Sequence, residues 1–311
     1  MTGILERPLR SVILAAADSP KIQRFVRKYG MQLGARRFVA GESVDDFLAV
    51  AREVNGRGFA VACGILGEAV RSRKEATDAS GQYCALLQRF AAERIDANVA
   101  FKLTHVGLDI DPQLAFENAA RIAQTAQATG NSMRLDMERS RYVDATLDIY
   151  RRLRQGFRCV GFVLQSYLYR SADDLRDVLE LSPNVRLVKG AYLEPPSVAF
   201  AQKGQVDDNY RRLLEMALTA DGYTAIATHD PKLIAYAREV AVQNHLPLRG
   251  RYEFQMLYGI NEALGRSLVA LGYRVRLAVP YGNYWFPYLM RRLAERPANL
   301  AFFLKGALSK R

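Results

Sequence analysis

Four side chains near the end of the 311-residue chain have the types and spacing to bind a small carboxylate. They are Tyr288, Arg291, Arg292 and Glu295. Their spacing of i, i+3, i+4 and i+7 would place them on one face of a helix. Two guanidinium groups can hold a carboxylate by paired, charge-assisted hydrogen bonds, and an aromatic ring can pack on the rest of the molecule. Taken alone, the pattern is more typical of a solvated helix face, so it needs support from elsewhere in the chain.

A strand is expected to position the start of this helix. Residues 274–279 alternate polar and apolar side chains, as a strand does. Pro280 and Gly282 are expected to end that strand, and Pro287 is tolerated in the first turn of the helix that follows. The sequence therefore predicts that the carboxylate-binding face lies just beyond a strand end.

Short apolar runs that read as strands recur along the chain, with helical patterns between them. The eight strand candidates are Phe59–Cys63, Val99–Leu103, Met133–Asp136, Phe162–Gln165, Val185–Val188, Thr224–Thr228, Tyr252–Gln255 and Arg274–Val279. The clearest helices are Asp111–Thr129, Tyr142–Arg154, Ser171–Leu181, Asp207–Asp221 and Pro231–Asn244. Eight βα units in about 250 residues predict a (β/α)8 barrel. An open doubly wound sheet would show the same alternation, but the chain lacks the glycine-rich phosphate loop typical of that fold.

No change in composition marks a domain boundary within the barrel region. Residues 1–38 are predicted to form an N-terminal helical extension, and residues 39–311 the barrel domain. No apolar run is long enough to span a membrane, and Met1–Arg10 lacks the apolar core of a signal peptide. The sparse, distant cysteines fit free thiols in a reducing cytoplasm, and neither they nor the scattered histidines predict a metal site.

The chain is basic, with a formal net charge of +12. Many basic proteins bind nucleic acid, but here the arginines are interspersed with acidic residues and no nucleic-acid-binding motif is found. We therefore expect no nucleic-acid partner. The charge could hold the protein at the inner face of a membrane as a peripheral protein, or simply keep it soluble in the cytoplasm, and we favour the second interpretation.

Polar or charged residues follow nearly every predicted strand. These strand ends are residues 66–68, 102–104, 136–138, 165–167, 186–192, 228–230 and 253–255. In a barrel the C-terminal ends of the strands meet at one mouth, where the working residues of such enzymes lie. Any one of these side chains is more often structural, but the whole set predicts an active site at that mouth.

Four motifs carry a resemblance to a known family. They are Arg-Leu-Val-Lys-Gly-Ala-Tyr (186–192), Ala-Thr-His-Asp (227–230), Tyr-Glu-Phe-Gln-Met-Leu-Tyr-Gly (252–259) and Tyr-Leu-Met-Arg-Arg-Leu-Ala-Glu (288–295). In these motifs the chain resembles the proline dehydrogenase family, flavoenzymes built on a distorted (β/α)8 barrel with a C-terminal helix over the active site. The short chain, without an aldehyde dehydrogenase module, looks like the monofunctional bacterial type. The resemblance implies that FAD oxidises L-proline to pyrroline-5-carboxylate, the first step of proline catabolism to glutamate, and that the electrons pass to a quinone.

The resemblance also implies a role for each matching residue. The implied catalytic residues are Asp136 and Arg186, and the arginine would stabilise negative charge on the flavin as hydride arrives. The implied substrate-binding residues are Lys102, Tyr192, Leu257, Ala278, Tyr288, Arg291 and Arg292. The implied FAD-binding residues are Met137, Gln165, Arg186, Lys189, Gly190, Ala191, Tyr192, Thr228, His229 and Glu295. Glu68 and Arg291 would form a gate, in which Arg291 exchanges between Glu68 and the substrate carboxylate.

One residue departs from the family pattern. The last strand of the family commonly runs Tyr-Val-Pro-Tyr-Gly, with the first tyrosine lining the substrate ring, whereas residues 278–282 here are Ala-Val-Pro-Tyr-Gly. Ala278 leaves a gap and removes a hydrogen-bond partner for Asp136. Family members that oxidise 4-hydroxyproline carry a smaller residue here, so trans-4-hydroxyproline is the alternative substrate. There are two other interpretations. One is sequence drift, with Tyr281 or Tyr284 repacking into the gap, and the other is an engineered substitution.

A barrel that senses proline without catalysis is the competing class of protein. Such a chain would be expected to lose Arg186 or one arginine of the 291–292 pair, and all three are present. The sequence therefore favours an enzyme.

Overall fold

The computed structural model describes residue 24, residues 30–31, 34–67 and 70–290, together with the backbone of residues 291–295. Eight parallel strands form a closed barrel in sequence order, which confirms the predicted (β/α)8 barrel. The strands are β1 Ala60–Ile65, β2 Ala97–Lys102, β3 Met133–Asp136, β4 Val160–Gln165, β5 Asn184–Val188, β6 Tyr223–Ala227, β7 Tyr252–Leu257 and β8 Val275–Tyr281. All eight predicted strands are present, with ends that differ by no more than two residues.

Helices surround the barrel on its outer side. In the described part they are α1 Val44–Gly56, α2 Arg73–Ala92, α3 Pro112–Ala128, α4 Val143–Arg154, α5 Ser171–Arg176, α6 Lys203–Thr219, α7 Pro231–Gln243, α8 Glu262–Ala270 and α9 Trp285–Glu295. Short 3₁₀ turns cover Ala35–Arg37, Leu103–Val106, Ser140–Tyr142 and Leu179–Leu181. Most of the predicted N-terminal extension lies outside the described residues, so that domain boundary stays a prediction. No helix in the described ranges is both long enough and apolar enough to cross a membrane.

Two helices differ from the expected bounds. The predicted helix 171–181 ends at Arg176: Val178 leaves helical geometry with a φ of −115°, and a 3₁₀ turn at Leu179–Leu181 then leads into β5. The helix expected from Asp207 begins four residues earlier at Lys203, which pairs with Asp207 one turn later.

The last strand continues past the proline that was expected to end it. β8 runs to Tyr281, because its pairing with β7 ends at Ala278 and the missing N–H of Pro280 therefore interrupts no ladder on that side. Pro280 stays in register with Gly64 of β1, and its carbonyl accepts a hydrogen bond from the Ala40 N–H. Gly282 does end the strand. Its φ is +127° and a Cβ there would lie 2.5 Å from the Leu66 carbonyl oxygen, so only glycine fits this turn.

Alternate residues of each strand face opposite sides of the barrel wall. The outward-facing rings pack on the helices: Phe162 on Tyr150 of α4 at 4.3 Å between ring centroids, and Tyr281 on Phe47 of α1 at 5.2 Å. These contacts belong to the continuous apolar core between barrel and helices. A second apolar cluster joins Trp285, Phe286 and other residues of α9 to residues 35–39. This second cluster fixes the start of α9 against the rim of the barrel.

The interior of the barrel is polar rather than apolar. Glu253 is 1% exposed and accepts hydrogen bonds from Arg276 Nε at 2.7 Å, Tyr223 Oη at 3.0 Å and Arg274 Nε at 3.2 Å. Burial alone would raise the pKa of Glu253, but the charge and hydrogen bond of Arg276 outweigh burial and lower that pKa to about 2. Barrel interiors of this fold are mostly filled by branched apolar side chains, so the charges here indicate an interior adapted to a polar site above it.

Candidate active site

An ion pair between two strands lies at the centre of the site. Arg186 Nη1 donates to Asp136 Oδ1 at 2.8 Å, across the intervening strand β4. The side chain of Arg186 is 11% exposed and that of Asp136 is 34% exposed. Burial lowers the pKa of Arg186, and the charge of Asp136 opposes that shift. The structure therefore brings the two predicted catalytic residues together.

The other predicted residues on strands share the inward-facing side. Lys102 stands in register with Asp136, and Leu257 stands in register with Ala278. By the alternation of strand residues, these four side chains and Gln165 all face the barrel interior near its C-terminal end. Six site residues predicted from separate strands thus converge on one mouth, since Arg186 faces the same space.

Several buried polar atoms of these side chains have no hydrogen-bond partner among the described residues. They are Nε and Nη2 of Arg186 and Oε1 of Gln165. The amide nitrogen of Gln165 reaches the Met137 carbonyl only at 3.5 Å. A buried polar atom without a partner costs about 1–3 kcal/mol, so two donors and an acceptor left open side by side fit a bound polar group. The donor set suits a planar group whose edge offers both acceptors and an N–H.

The loop after β5 brings the predicted cofactor residues Lys189, Gly190 and Ala191 to this mouth. Gly190 has a φ of +112°, and a Cβ there would lie 2.3 Å from the ring of Tyr167. The close approach that requires glycine is therefore made to Tyr167, whose N–H also donates to the Lys189 carbonyl at 2.9 Å. The predicted contact of Gly190 with a cofactor stays a prediction.

Lys189 is held by two carboxylates. Its Nζ lies 2.6 Å from Asp207 Oδ1 and 3.1 Å from Asp230 Oδ2. Asp230 also caps α7 by accepting from the Lys232 N–H at 3.1 Å. These contacts fix the ammonium group beside the N-terminus of α7, which the Asp230 carboxylate itself caps.

The strand end after β6 is fixed by its own hydrogen bonds. Thr228 Oγ1 accepts from the Asp230 N–H at 3.1 Å, and His229 Nε2 accepts from the Leu257 N–H at 3.1 Å. Because Nε2 of His229 accepts a hydrogen bond, it carries no proton. The imidazole thereby ties the end of β6 to the end of β7 at the predicted substrate wall.

Ala278, the residue that departs from the family pattern, places a small side chain at the mouth. Ala278 is half-buried, and no aromatic ring from its own strand fills the place beside it. Tyr281 faces outward onto Phe47, because it is an odd number of residues from Ala278, so the alternative in which Tyr281 repacks into the gap does not occur. Tyr284 lies beyond the strand and is 36% exposed.

The C-terminal helix contributes to one wall of the site. Tyr288 and Leu257 pack on the same apolar cluster, which includes Trp285 and Leu289 of α9. Met137 is buried next to Asp136, and Tyr192 is half-buried in the loop after β5. The backbone of α9 includes the positions of Arg291, Arg292 and Glu295, but their side chains and Glu68 lie outside what the structure describes. The carboxylate clamp and the gate therefore stay predictions.

Two further carboxylates tie the mouth loops together, and the sequence assigned them no role. Glu138 accepts from the N–H and Oγ1 of Thr104 at 3.2 Å and 2.9 Å. Glu194 accepts from the N–H and Oγ of Ser140 at 2.7 Å and 2.6 Å. Burial raises the pKa of Glu138, and the hydrogen bonds of Thr104 oppose that shift. The partners are 34 and 54 residues apart, so only the fold reveals them.

No group of three or more His, Cys, Asp or Glu side chains that could hold a metal ion occurs in the described part of the chain. The side chains at the mouth are instead hydrogen-bond donors, acceptors and cations. A closed (β/α)8 barrel with polar side chains from several strand ends gathered at one mouth is typical of the enzymes built on this fold.

Comparisons with known proteins identify the family. The sequence model of the proline dehydrogenase family matches residues 47–305. Proline dehydrogenase 1 of Bacillus subtilis is 40% identical over 302 residues, which cover 97% of this chain and 100% of that protein. Proline dehydrogenase of Deinococcus radiodurans is 39% identical over 310 residues, covering 98% of this chain and 99% of that protein. The chain belongs to the proline dehydrogenase family, a family of flavin-dependent oxidoreductases.

Solved structures agree on the fold. Proline utilization A from Bdellovibrio bacteriovorus, inactivated by N-propargylglycine, superposes with a TM-score of 0.79 and 24% sequence identity. The match covers 91% of this chain and 38% of that longer chain. The similarity at this identity shows the barrel architecture.

Proposed function

We propose that this chain is an FAD-dependent proline dehydrogenase, which oxidises L-proline to pyrroline-5-carboxylate and transfers the electrons to a quinone. The observation that carries the proposal is the set of open hydrogen-bond positions on Arg186 and Gln165, beside the Asp136–Arg186 pair. An isoalloxazine edge has the acceptors and the N–H that would complete these hydrogen bonds. Membership of the proline dehydrogenase family supports the same cofactor and substrate.

Each described residue would contribute position or charge. Asp136 accepts from Nη1 of Arg186, so Nε and Nη2 would remain available to donate to the bound group. Lys189, held by Asp207 and Asp230 beside the N-terminus of α7, would contribute to FAD binding by ordering the loop after β5. When bound, FAD would supply the redox chemistry by acting as the hydride acceptor. The hydride would leave the ring carbon next to the nitrogen that does not carry the carboxylate, and the nitrogen would lose a proton, which gives the C=N bond of pyrroline-5-carboxylate.

The substrate would lie between the flavin and the C-terminal helix. Its carboxylate would be bound by Lys102 together with Arg291 and Arg292, and its ring would pack on Leu257 and the other apolar wall residues. Glu68 would bind Arg291 before the substrate arrives. This orientation directs the hydride-bearing carbon away from the clamp and toward the barrel interior.

The acceptor and the location belong to the same proposal. A quinone is a lipid-soluble acceptor, and the net charge of +12 would allow peripheral contact of this chain with anionic lipid at the inner face of the membrane. We place the protein in the cytoplasm with such contact at most transient.

The first test of the proposal is the cofactor. Protein reconstituted with excess FAD and then desalted is expected to keep one flavin per chain, and denaturation should release intact FAD, identified by chromatography. Protein that leaves the column colourless would contradict the proposal. FMN offered in parallel is the control, since it lacks the second phosphate and the adenosine.

The gap beside Ala278 predicts a weak preference between proline and trans-4-hydroxyproline. Ala278→Tyr is expected to raise catalytic efficiency on proline and to shift the ratio of the two efficiencies toward proline by about tenfold or more, since a filled pocket rejects the added hydroxyl. Steady-state kinetics with both substrates measure this ratio. Ala278→Phe is the matched control, because it fills the gap without offering Asp136 a hydroxyl. If the ratio of the two catalytic efficiencies is unchanged in Ala278→Tyr, this position does not set specificity, and sequence drift explains the alanine.

A further inference from the structure

Arg134, in the middle of β3, is a buried cation with neutral partners only. It is 2% exposed. Its Nη1 donates to the carbonyls of Phe162 at 3.2 Å and Asn184 at 3.3 Å, and its Nη2 donates to Asn184 Oδ1 at 2.7 Å. Its Nε has no partner among the described residues. Within the described ranges, no carboxylate lies within ion-pair distance of this guanidinium group.

The strand register places Arg134 directly below the proposed active site. Arg134 pairs with Gly161, and Gly161 pairs with Asn184, to form one layer of the barrel interior. Two residues further along the same strands stand Asp136 and Arg186, which form the next layer toward the mouth. Two residues of a parallel strand rise about 7 Å. The charge of Arg134 therefore acts on the site at short range, although its side chain lies one layer below the site.

The guanidinium group stays charged. Burial, followed by the positive charge of Arg186, lowers the pKa of Arg134 to about 9, which leaves it protonated at neutral pH. The other interior charges are matched, because Asp136 pairs with Arg186 and Glu253 pairs with Arg276. Arg134 is therefore a buried positive charge of the described interior that no carboxylate matches.

Such a charge is expensive to keep for structural reasons alone. Burying an unpaired ion is unfavourable, and an apolar residue of similar volume at such a place is often as stable or more stable. Methionine would fill the same space in β3. The retained cation therefore points to an electrostatic effect on whatever binds above it.

We propose that Arg134 is an electrostatic residue that favours the reduced form of the bound flavin over the oxidised form. The inference rests on the proposed function, in which FAD binds at the mouth beside Arg186. Oxidised flavin is neutral, whereas flavin that has accepted a hydride carries a negative charge at neutral pH. A fixed cation one barrel layer below Asp136 and Arg186 would stabilise only the charged form, and it would need no reorganisation to do so. By linkage, tighter binding of the reduced form raises the midpoint potential of the flavin.

Three substitutions separate charge from structure. Arg134→Met removes the charge and the hydrogen bonds, Arg134→Gln removes the charge but keeps a donor amide, and Arg134→Lys keeps the charge but loses the planar fork. The measured quantity is the ratio of the dissociation constants for oxidised and reduced FAD, obtained from the midpoint potential under anaerobic conditions. Thermal unfolding of each protein without FAD reports separately on structure.

The methionine and glutamine variants are expected to lose about tenfold in that ratio, a fall of about 30 mV for a two-electron couple. The lysine variant should stay within about twofold of wild type, and the neutral variants without FAD should melt at or above the wild-type temperature. The inference is overturned if both neutral variants keep the wild-type ratio of dissociation constants, or if both fail to fold. It is also overturned if the ratio falls as far in the lysine variant as in the neutral variants. A wild-type chain that binds no FAD would overturn the proposed function, and this inference with it.

Discussion

Arg186→Met is expected to reduce kcat about a hundred- to a thousand-fold. Arg186 supplies the buried cation nearest to the proposed flavin edge, and removing one donor aimed at developing charge typically has an effect of this size. The change also leaves Asp136 without its partner at 2.8 Å, so its carboxylate would be freed to reorient. Single-turnover reduction of the bound flavin by proline measures the affected step directly.

The control for this change is Arg176→Met on α5. Arg176 is 55% exposed and pairs with Asp173 on the surface, so its loss should leave the reduction rate unchanged. Arg186→Lys should fall between wild type and the methionine variant, since it keeps the charge without the fork geometry. A reduction rate in Arg186→Met equal to that of Arg176→Met would remove Arg186 from the catalytic step.

Substitution of the arginine doublet is expected to affect substrate rather than cofactor. Arg291→Met or Arg292→Met should lower kcat/KM for proline about ten- to a hundred-fold, because each removes a charge-assisted hydrogen bond of about 1.5–3 kcal/mol to the carboxylate. The FAD content of the purified variants should equal that of wild type. Steady-state kinetics combined with the flavin-to-protein absorbance ratio measure both quantities.

Arg266→Met on α8 is the matched control for the doublet. Arg266 is 58% exposed and pairs with Glu262, away from the mouth. Full efficiency toward proline in both doublet variants would place the carboxylate elsewhere, and Lys102 would then be the first alternative ligand.

The barrel could be predicted from the sequence because its signal is local and repeated. Each strand is a short apolar run followed by a helical pattern, and eight such units leave few other topologies. The end of β8 was mispredicted because the cost of Pro280 depends on where pairing with β7 stops, which is a non-local fact.

The polar interior of the barrel could not be predicted from local sequence patterns. Residues 274–279 alternate polar and apolar side chains, a pattern that usually places the polar side in water. In the closed barrel that side faces inward, where Arg276 meets Glu253 from the neighbouring strand. The identity of such partners depends on register between strands, and no local pattern encodes it.

The candidate site was predictable where the family motifs carry it. Arg186 lies in one of the quoted motifs, whereas Asp136 was assigned from the wider resemblance, and the two residues, 50 positions apart, meet in the fold. Glu138 and Glu194 were not assigned, because a glutamate that orders a loop has no distinctive spacing to its partner. The buried charge of Arg134 was likewise hidden, since it reads in sequence as an ordinary strand residue.

Anaerobic addition of L-proline to the FAD-bound protein tests the central claim most directly. We expect L-proline to bleach the visible absorbance of the bound flavin with saturable kinetics, and a soluble quinone to restore that absorbance. Dithionite serves as the positive control for a flavin that can be reduced. Bound FAD that dithionite bleaches but saturating L-proline leaves fully oxidised would contradict the account.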